Sequence, residues 1–276
     1  MKPMSKFQIS AIQMASSPNL NSNLSIVNDL MNAATKKNAK LVVLPENFAL
    51  MPHKDNDYLT IAEHLGHGPI QDFLSTYAKN NKIWLVSGTI PIKSNSSKKV
   101  YAATIVYDTY GCQLAHYYKM HLFDVNIPEN NTESYRESDT FLPGNDISFF
   151  DTDYCRVGLA ICYDIRFPEL FRNLSKHNVM LTCIPSAFTN ITGKAHWHSL
   201  IKARAIENLQ YIVASCQGGF HVNGRSTYGH SAIIDPWGKI MIEKKSGSGI
   251  ISSEIDIEYL ETIRGQFPCL EHRKIT

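Results

Sequence analysis

The feature that most limits how this chain can fold is its alternation of short apolar runs with segments of helical period. Residues 7–15, 40–44 and 83–90 read as strands, and 21–37 and 69–80 between them as helices, with Asn21 the expected N-cap of the first. Residues 100–107 and 113–118 flank Asp108-Thr109-Tyr110-Gly111 and predict a hairpin. The order then begins again. Strands are expected over 156–161, 179–184 and 211–216, helices over 168–176 and 195–208, and a hairpin of 230–234 with 239–242 around Asp235-Pro236-Trp237-Gly238. Leu44-Pro45-Glu46-Asn47-Phe48 parallels Ile184-Pro185-Ser186-Ala187-Phe188, each proline being expected to stop its strand. Both halves thus read β-α-β-α-β-β-β, an internal pseudo-repeat. Apolar parallel strands need helices on their faces. Two such halves packed sheet on sheet, helices outside, predict an α/β fold: a four-layer α-β-β-α sandwich. Residues 94–99 and the polar stretch 126–143 read as surface loops, and 250–260 as a segment that extends a sheet edge or crosses to a partner.

Composition excludes several classes of function. The 276 residues fit one domain over 1–276, and a 43% apolar, 19% charged balance is that of a globular protein. A net charge of +2 is too small to argue for nucleic acid or an anionic membrane. No apolar run reaches the ~18 residues of a membrane span, and Met1-Lys2-Pro3-Met4-Ser5-Lys6 leads into a strand without a signal core. A cytoplasmic location is expected. None of the six cysteines forms a C-x-x-C pair, so five read as reduced and buried. His196-Trp197-His198 predicts no metal site, because i,i+2 residues of a helix do not share a face.

Three positions that follow strands carry chemistry. Cys162 ends the strand Val157-Gly158-Leu159-Ala160-Ile161 and opens a helix with Pro168 near its start. Such a turn exposes a nucleophile beside N–H groups, including that of Tyr163, able to bind an oxyanion. A helix N-terminus would also favour the thiolate. Glu46 ends the strand Leu41-Val42-Val43-Leu44, placed as a general base. Lys119 ends a hairpin strand, and a buried ammonium there would stabilise first a thiolate and then an oxyanion. Singly, each has a bland reading: a core cysteine, a solvated glutamate, a surface lysine. Together they supply what acyl transfer needs. Arg166 either grips a substrate carboxylate bidentately or pairs with Asp164 or Glu169. Phe188 and Thr189, at the pseudo-repeat counterpart of Glu46's strand end, are candidates to line a pocket.

A cysteine with glutamate and lysine, and no paired histidine, resembles the nitrilase superfamily of carbon–nitrogen hydrolases. The matching segments are Leu44-Pro45-Glu46-Asn47, Tyr118-Lys119-Met120-His121-Leu122-Phe123-Asp124, and Gly158-Leu159-Ala160-Ile161-Cys162-Tyr163-Asp164-Ile165-Arg166-Phe167-Pro168-Glu169. The resemblance implies the same sandwich, a Glu46-Lys119-Cys162 triad, a homodimer or higher homo-oligomer, and no metal or organic cofactor. It also carries a second glutamate onto Glu137. Pro185-Ser186-Ala187-Phe188, Thr192-Gly193-Lys194-Ala195-His196-Trp197 and Arg204-Ala205-Ile206-Glu207-Asn208 are most similar to the amidase branch of omega-amidases and deaminated glutathione amidases; Cys216-Gln217-Gly218-Gly219 leans to the latter. One departure is Ala102, where relatives often carry asparagine. The implied reaction is hydrolysis of a small carboxylated amide through a thioester on Cys162, releasing ammonia. Nitrile or N-carbamoyl hydrolysis is the alternative chemistry, and a non-catalytic scaffold the alternative class.

Overall fold

The computed structural model describes residues 5–127 and 133–275. Its first half runs β1 (Lys6–Gln13), α1 (Leu20–Lys36), β2 (Leu41–Val43), α2 (Pro69–Asn81), β3 (Trp84–Val86), β4 (Ile90–Lys93), β5 (Val100–Tyr107) and β6 (Gln113–Tyr118). A ribbon of β7 (Asp124–Asn126) and β8 (Ser134–Arg136) follows, then β9 (Phe149–Asp151). The second half runs β10 (Arg156–Leu159), α3 (Pro168–Lys176), β11 (Leu181–Ser186), α4 (Asn190–Asn208) and β12 (Tyr211–Cys216). It continues through the hairpin of β13 (Gly218–Phe220) and β14 (Ser226–Tyr228) to β15 (Ser231–Ile234) and β16 (Ile240–Lys244). The chain then forms β17 (Gly249–Asp256) and α5 (Ile257–Gln266).

The pseudo-repeat is visible in the pairing. β1, β2 and β3 are parallel, with β5 antiparallel on β3 and β6 on β5. β10, β11 and β12 repeat this, with β15 antiparallel on β12 and β16 on β15. Strand alternation then builds the layers. Phe7, Ile9, Ala11, Leu41, Val43, Trp84 and Val86 face inward and share one core with Val157, Leu159, Leu181 and Cys183 of the other sheet. The opposite faces of the first-sheet strands, through Ile12, Val42 and Leu85, pack on Val27 and Met31 of α1 and Ile70 and Leu74 of α2. Leu170 and Leu174 of α3 with Trp197 and Ile201 of α4 cover the second sheet. The fold is therefore the four-layer α-β-β-α sandwich. Polar side chains tie the two sheets at one end: Gln13 Oε1 accepts from Ser231 N–H at 2.9 Å, and Gln217 Oε1 accepts from Ser16 N–H at 2.9 Å.

Several boundaries differ from expectation, each for a local reason. The N-cap of α1 is Asn19, whose Oδ1 accepts from Ser22 N–H at 2.9 Å, so Asn21 lies in the first turn. The strand expected over 83–90 breaks between β3 and β4, at Gly88 with φ 70°. β11 passes through Pro185 rather than stopping there. Beyond Cys183 it is paired only with β12, so one edge is free and a missing N–H is tolerated. α4 starts five residues early, at Asn190; Gly193 lies inside it because a Cβ there would strike the Tyr228 ring. The stretch 126–143 holds β8 and a 3-10 turn, Glu137–Asp139, as well as loop, and its residues 128–132 lie outside the described residues. Residues 250–260 extend the first sheet along β1 and then enter α5. Among the described residues, no helix is long and apolar enough to cross a membrane. All six cysteines are free; of the five expected to be buried, Cys155, Cys183 and Cys216 are, whereas Cys112 is exposed in the hairpin turn and Cys269 half-buried near the end of the chain.

Candidate active site

Each sheet delivers its polar groups through a strained turn. After β10, Cys162 has φ 46° and begins a 3-10 turn, Cys162–Arg166, that leads into α3. This left-handed conformation costs a non-glycine residue about 1–3 kcal/mol. Cys162 Sγ lies 3.5 Å from the Ala187 N–H, which donates to it. After β2, Glu46 precedes Asn47, which has φ 58° and donates its N–H to Thr89 Oγ1 at 2.8 Å. Gly88 lies against the Pro45 carbonyl, where any Cβ would collide, so the Glu46 turn requires glycine beside it. The Gln217 amide crosses from the other sheet and donates to Glu46 O at 2.9 Å. After β6, Lys119 is 2% exposed, and its Nζ donates to Glu46 Oε1 at 2.8 Å and to Glu137 Oε1 and Oε2 at 2.8 and 2.9 Å. Glu137 also accepts from Phe123 N–H at 2.6 Å. Glu46, Lys119, Glu137 and Cys162 line one solvent-connected cavity of about 770 Å³.

The charges explain the protonation of the group. Burial alone would lower Lys119, but the Glu137 and Glu46 carboxylates outweigh it and hold the ammonium well above its ordinary value. Burial raises Glu137, and the neighbouring Glu46 charge adds to the rise against the pull of Lys119. Burial also pushes the Cys162 thiol well above its ordinary range. Glu46 reinforces that, and Lys119 with the Ala187 N–H offsets only part. This overturns the thiolate expected of a helix N-terminus. The turn is only five residues long, and two carboxylates with one ammonium already leave a net negative charge that ionising the thiol would double. At rest Cys162 is a neutral thiol.

Asp164 fixes the relation between the lysine and the cysteine. It is fully buried, and its Oδ2 accepts from Tyr117 Oη and Ile161 N–H, both at 2.8 Å. Its Oδ1 accepts from His121 N–H at 3.1 Å and lies 2.7 Å from His121 Nδ1. Tyr117 and His121 flank Lys119, and Ile161 precedes Cys162. One carboxylate therefore joins both segments, and Phe167 stacks on His121 at 3.6 Å.

The family model for carbon–nitrogen hydrolases matches residues 8–265. The chain belongs to the carbon–nitrogen hydrolase family. It is 39% identical over 274 residues to the deaminated glutathione amidase of Synechocystis sp., covering 98% of this chain and 99% of that one. To omega-amidase NIT2 of Xenopus tropicalis it is 37% identical over 271 residues, covering 98% and 96%. Among solved structures, Saccharomyces cerevisiae Nit3 superposes with a TM-score of 0.88 at 32% identity, covering 98% of this chain and 97% of that one. The C. elegans NitFhit protein gives 0.91 at 34% identity; the match takes in 98% of this chain but spans 65% of that longer chain.

In this carbon–nitrogen hydrolase, Tyr163, Phe188 and Thr189 line the same cavity as the four polar groups. Thr189 also caps α4, accepting from Thr192 N–H at 3.3 Å. Arg166 is not among the lining residues. Its guanidinium meets His196 Nδ1 at 3.3 Å and packs over the Tyr163 and Phe188 rings. Sequence reasoning missed Tyr58, Tyr135 and Arg225, which also line the cavity. Arg225 sits in Val222-Asn223-Gly224-Arg225, a stretch that looks like any polar turn until β13 and β14 fold it back. His196 and His198 diverge as their spacing requires, yet His198 and His230 both reach Glu243 Oε1, at 2.6 and 2.7 Å. That hydrogen-bonded trio is the one cluster among the described residues whose donors could converge on a metal ion, and none of its members lines the cavity.

Proposed function

We propose that this carbon–nitrogen hydrolase is an amidase that cleaves a small carboxylated amide through a thioester on Cys162. The observation that carries the reading is the convergence of Cys162, Glu46, Lys119 and Glu137 in one cavity, with Lys119 held between two carboxylates. Deaminated glutathione and the omega-amides of alpha-keto acids are the candidate substrates, by similarity to relatives named for those activities. Because the thiol rests neutral, its proton must leave as the bond to carbon forms. Glu46 takes it while sulfur attacks the amide carbon. The oxyanion that results is held by the Lys119 ammonium and the backbone N–H of Tyr163. Glu137 keeps the ammonium aimed and charged. The C–N bond then breaks, the leaving nitrogen takes the proton from Glu46, and the acyl group stays on sulfur. Water, deprotonated by Glu46, attacks the thioester; the acid departs and the thiol regains its proton. A primary amide releases ammonia by this route, whereas a substituted amide such as deaminated glutathione releases an amine.

The test is a turnover screen over carboxylated amides, nitriles and N-carbamoyl compounds, with mass spectrometry of the protein during turnover. The expected result is an acyl adduct on the peptide carrying Cys162, with no turnover by Cys162→Ala. Preferential turnover of nitriles or carbamoyl compounds, an adduct on Cys183 or Cys216, or activity in Cys162→Ala refutes the reading. We infer in addition a homodimer that buries the exposed apolar cluster of Ile206, Trp237 and Phe267.

A further inference from the structure

A guanidinium stands in the cavity without an acidic partner. Arg225 lines it, and its Nη2 donates to the Ala187 carbonyl at 2.7 Å while the ring of Tyr135 lies 5.3 Å away. Its Nε is buried with no hydrogen-bond partner. Among the described residues no carboxylate pairs with it, whereas the buried Arg204 has Glu207 at 2.6 Å. Leaving such a donor unsatisfied costs about 1–3 kcal/mol, more where the group is charged. Arg136 also lines the cavity, but its exposed guanidinium is committed to Val125 O, Tyr135 O and Asn126 Oδ1.

From these contacts we infer that Arg225 is the residue that binds the carboxylate of the substrate. The inference rests on the amidase reading above and names the group that selects for an acidic amide. Electrostatics set the direction of binding. The Glu46–Lys119–Glu137 end carries a net negative charge and repels a carboxylate, while the Arg225 end attracts one. An acidic amide therefore enters with its amide toward Cys162 and its acid toward Arg225. Ala187 gives the scale, because its N–H faces Cys162 Sγ at 3.5 Å and its carbonyl holds Arg225. A single residue spans about 3–4 Å from N to O, so Arg225 Nη2 lies within about 10 Å of the sulfur. Allowing about 3 Å for sulfur to the amide carbon and about 3 Å for the charged hydrogen bond leaves at most about 4 Å between amide carbon and carboxylate. That is the reach of a four- or five-carbon dicarboxylic monoamide.

The experiment compares glutaramate, the monoamide of a five-carbon diacid, with pentanamide, its neutral counterpart. Wild type should favour glutaramate by about 10²-fold in kcat/KM, the value of a charge-assisted pair. Arg225→Gln should bring that preference close to one, chiefly through KM. Arg225→Lys should recover roughly tenfold, having the charge without the fork. Thermal unfolding checks that each variant is folded. Calorimetry of glutarate binding to Cys162→Ala reads the same contact without turnover, and adding Arg225→Gln should weaken it at least tenfold. Glutarate binding that ignores Arg225, or a glutaramate preference abolished by Arg166→Gln and not by Arg225→Gln, overturns the assignment. Arg225-dependent glutarate binding in a protein that hydrolyses no amide would sink the amidase reading and leave the carboxylate subsite standing.

Discussion

Asp164→Asn should separate the positioning of this site from its chemistry. The asparagine has nearly the same shape but replaces one acceptor oxygen by an NH₂ group. On the Oδ2 side the Tyr117 hydroxyl can turn to accept from that group, but the Ile161 N–H then faces a donor. On the Oδ1 side His121 can present Nδ1 as an acceptor, but the His121 N–H is orphaned instead. Either rotamer strands one backbone donor, buried at Ile161 and half-buried at His121, at about 1–3 kcal/mol, and weakens the surviving bonds by removing their charge, about 1 kcal/mol more. A total of about 2–4 kcal/mol lowers Tm by about 5–15 °C for a chain of this size. Alanine would strand all four donors and threaten folding outright, so asparagine is the informative change. Calorimetry gives the Tm, and steady-state kinetics below it should show kcat falling at least tenfold with KM nearly constant, because the turn before Cys162 and the segment carrying Lys119 lose their common anchor. A Tm within 2 °C of wild type with unchanged kcat would show that the four bonds do not hold the site, and the reasoning would fail.

The pH dependence of kcat/KM should have its acid limb above the ordinary glutamate value of about 4.3. Glu137 is raised by burial and by Glu46, and its protonation as pH falls releases Lys119. Lys119 and Cys162 are both raised well above their usual values, so no alkaline limb is expected below about pH 9; an acid limb at or below 4 would contradict the buried arrangement. Light scattering at micromolar concentration should report a dimer that Trp237→Glu converts to monomer. A monomeric wild type, or a variant still dimeric, rules out the proposed interface.

The parts legible in sequence are those fixed by local pattern. Strand periodicity located β2, β6 and β10, missing the end of β2 by one residue and that of β10 by two, and so put Glu46, Lys119 and Cys162 just beyond strands. Glu137 came only through resemblance, because a 3-10 turn in a polar stretch has no signature that aims a side chain inward. Arg225 and the four donors on Asp164 depend on contacts between residues far apart in sequence. The break at Gly88 and the passage of β11 through Pro185 escaped for a related reason: each depends on what lies beside the strand, a neighbouring carbonyl in one case and a free edge in the other. The neutral thiol could not be read from the helix that follows Cys162, because it is set first by burial between the two sheets and then by Glu46 from the other half of the chain.

The two halves share a plan but divide the polar groups of the cavity between them. Glu46, Lys119 and the β4–β5 scaffold beneath them belong to one sheet, and Cys162 with the Ala187 amide to the other. Where the first half places Glu46 after its second strand, the second half places Ala187 and Phe188. The spacing of Cys162 from Glu46 and Lys119 is thus a measure of shear between two slabs. Ordinary interior packing resists such sliding, and Gln13 and Gln217 pin it at the catalytic end, where Gln217 grips both Ser16 and the Glu46 carbonyl. A substitution deep in the seam, at Trp84 or Phe150, which stack at 6.0 Å, would detune the reaction without touching a reacting atom. Under the proposed mechanism the seam is therefore part of the machinery: the alignment of Cys162 with Glu46 is only as good as the alignment of the sheets.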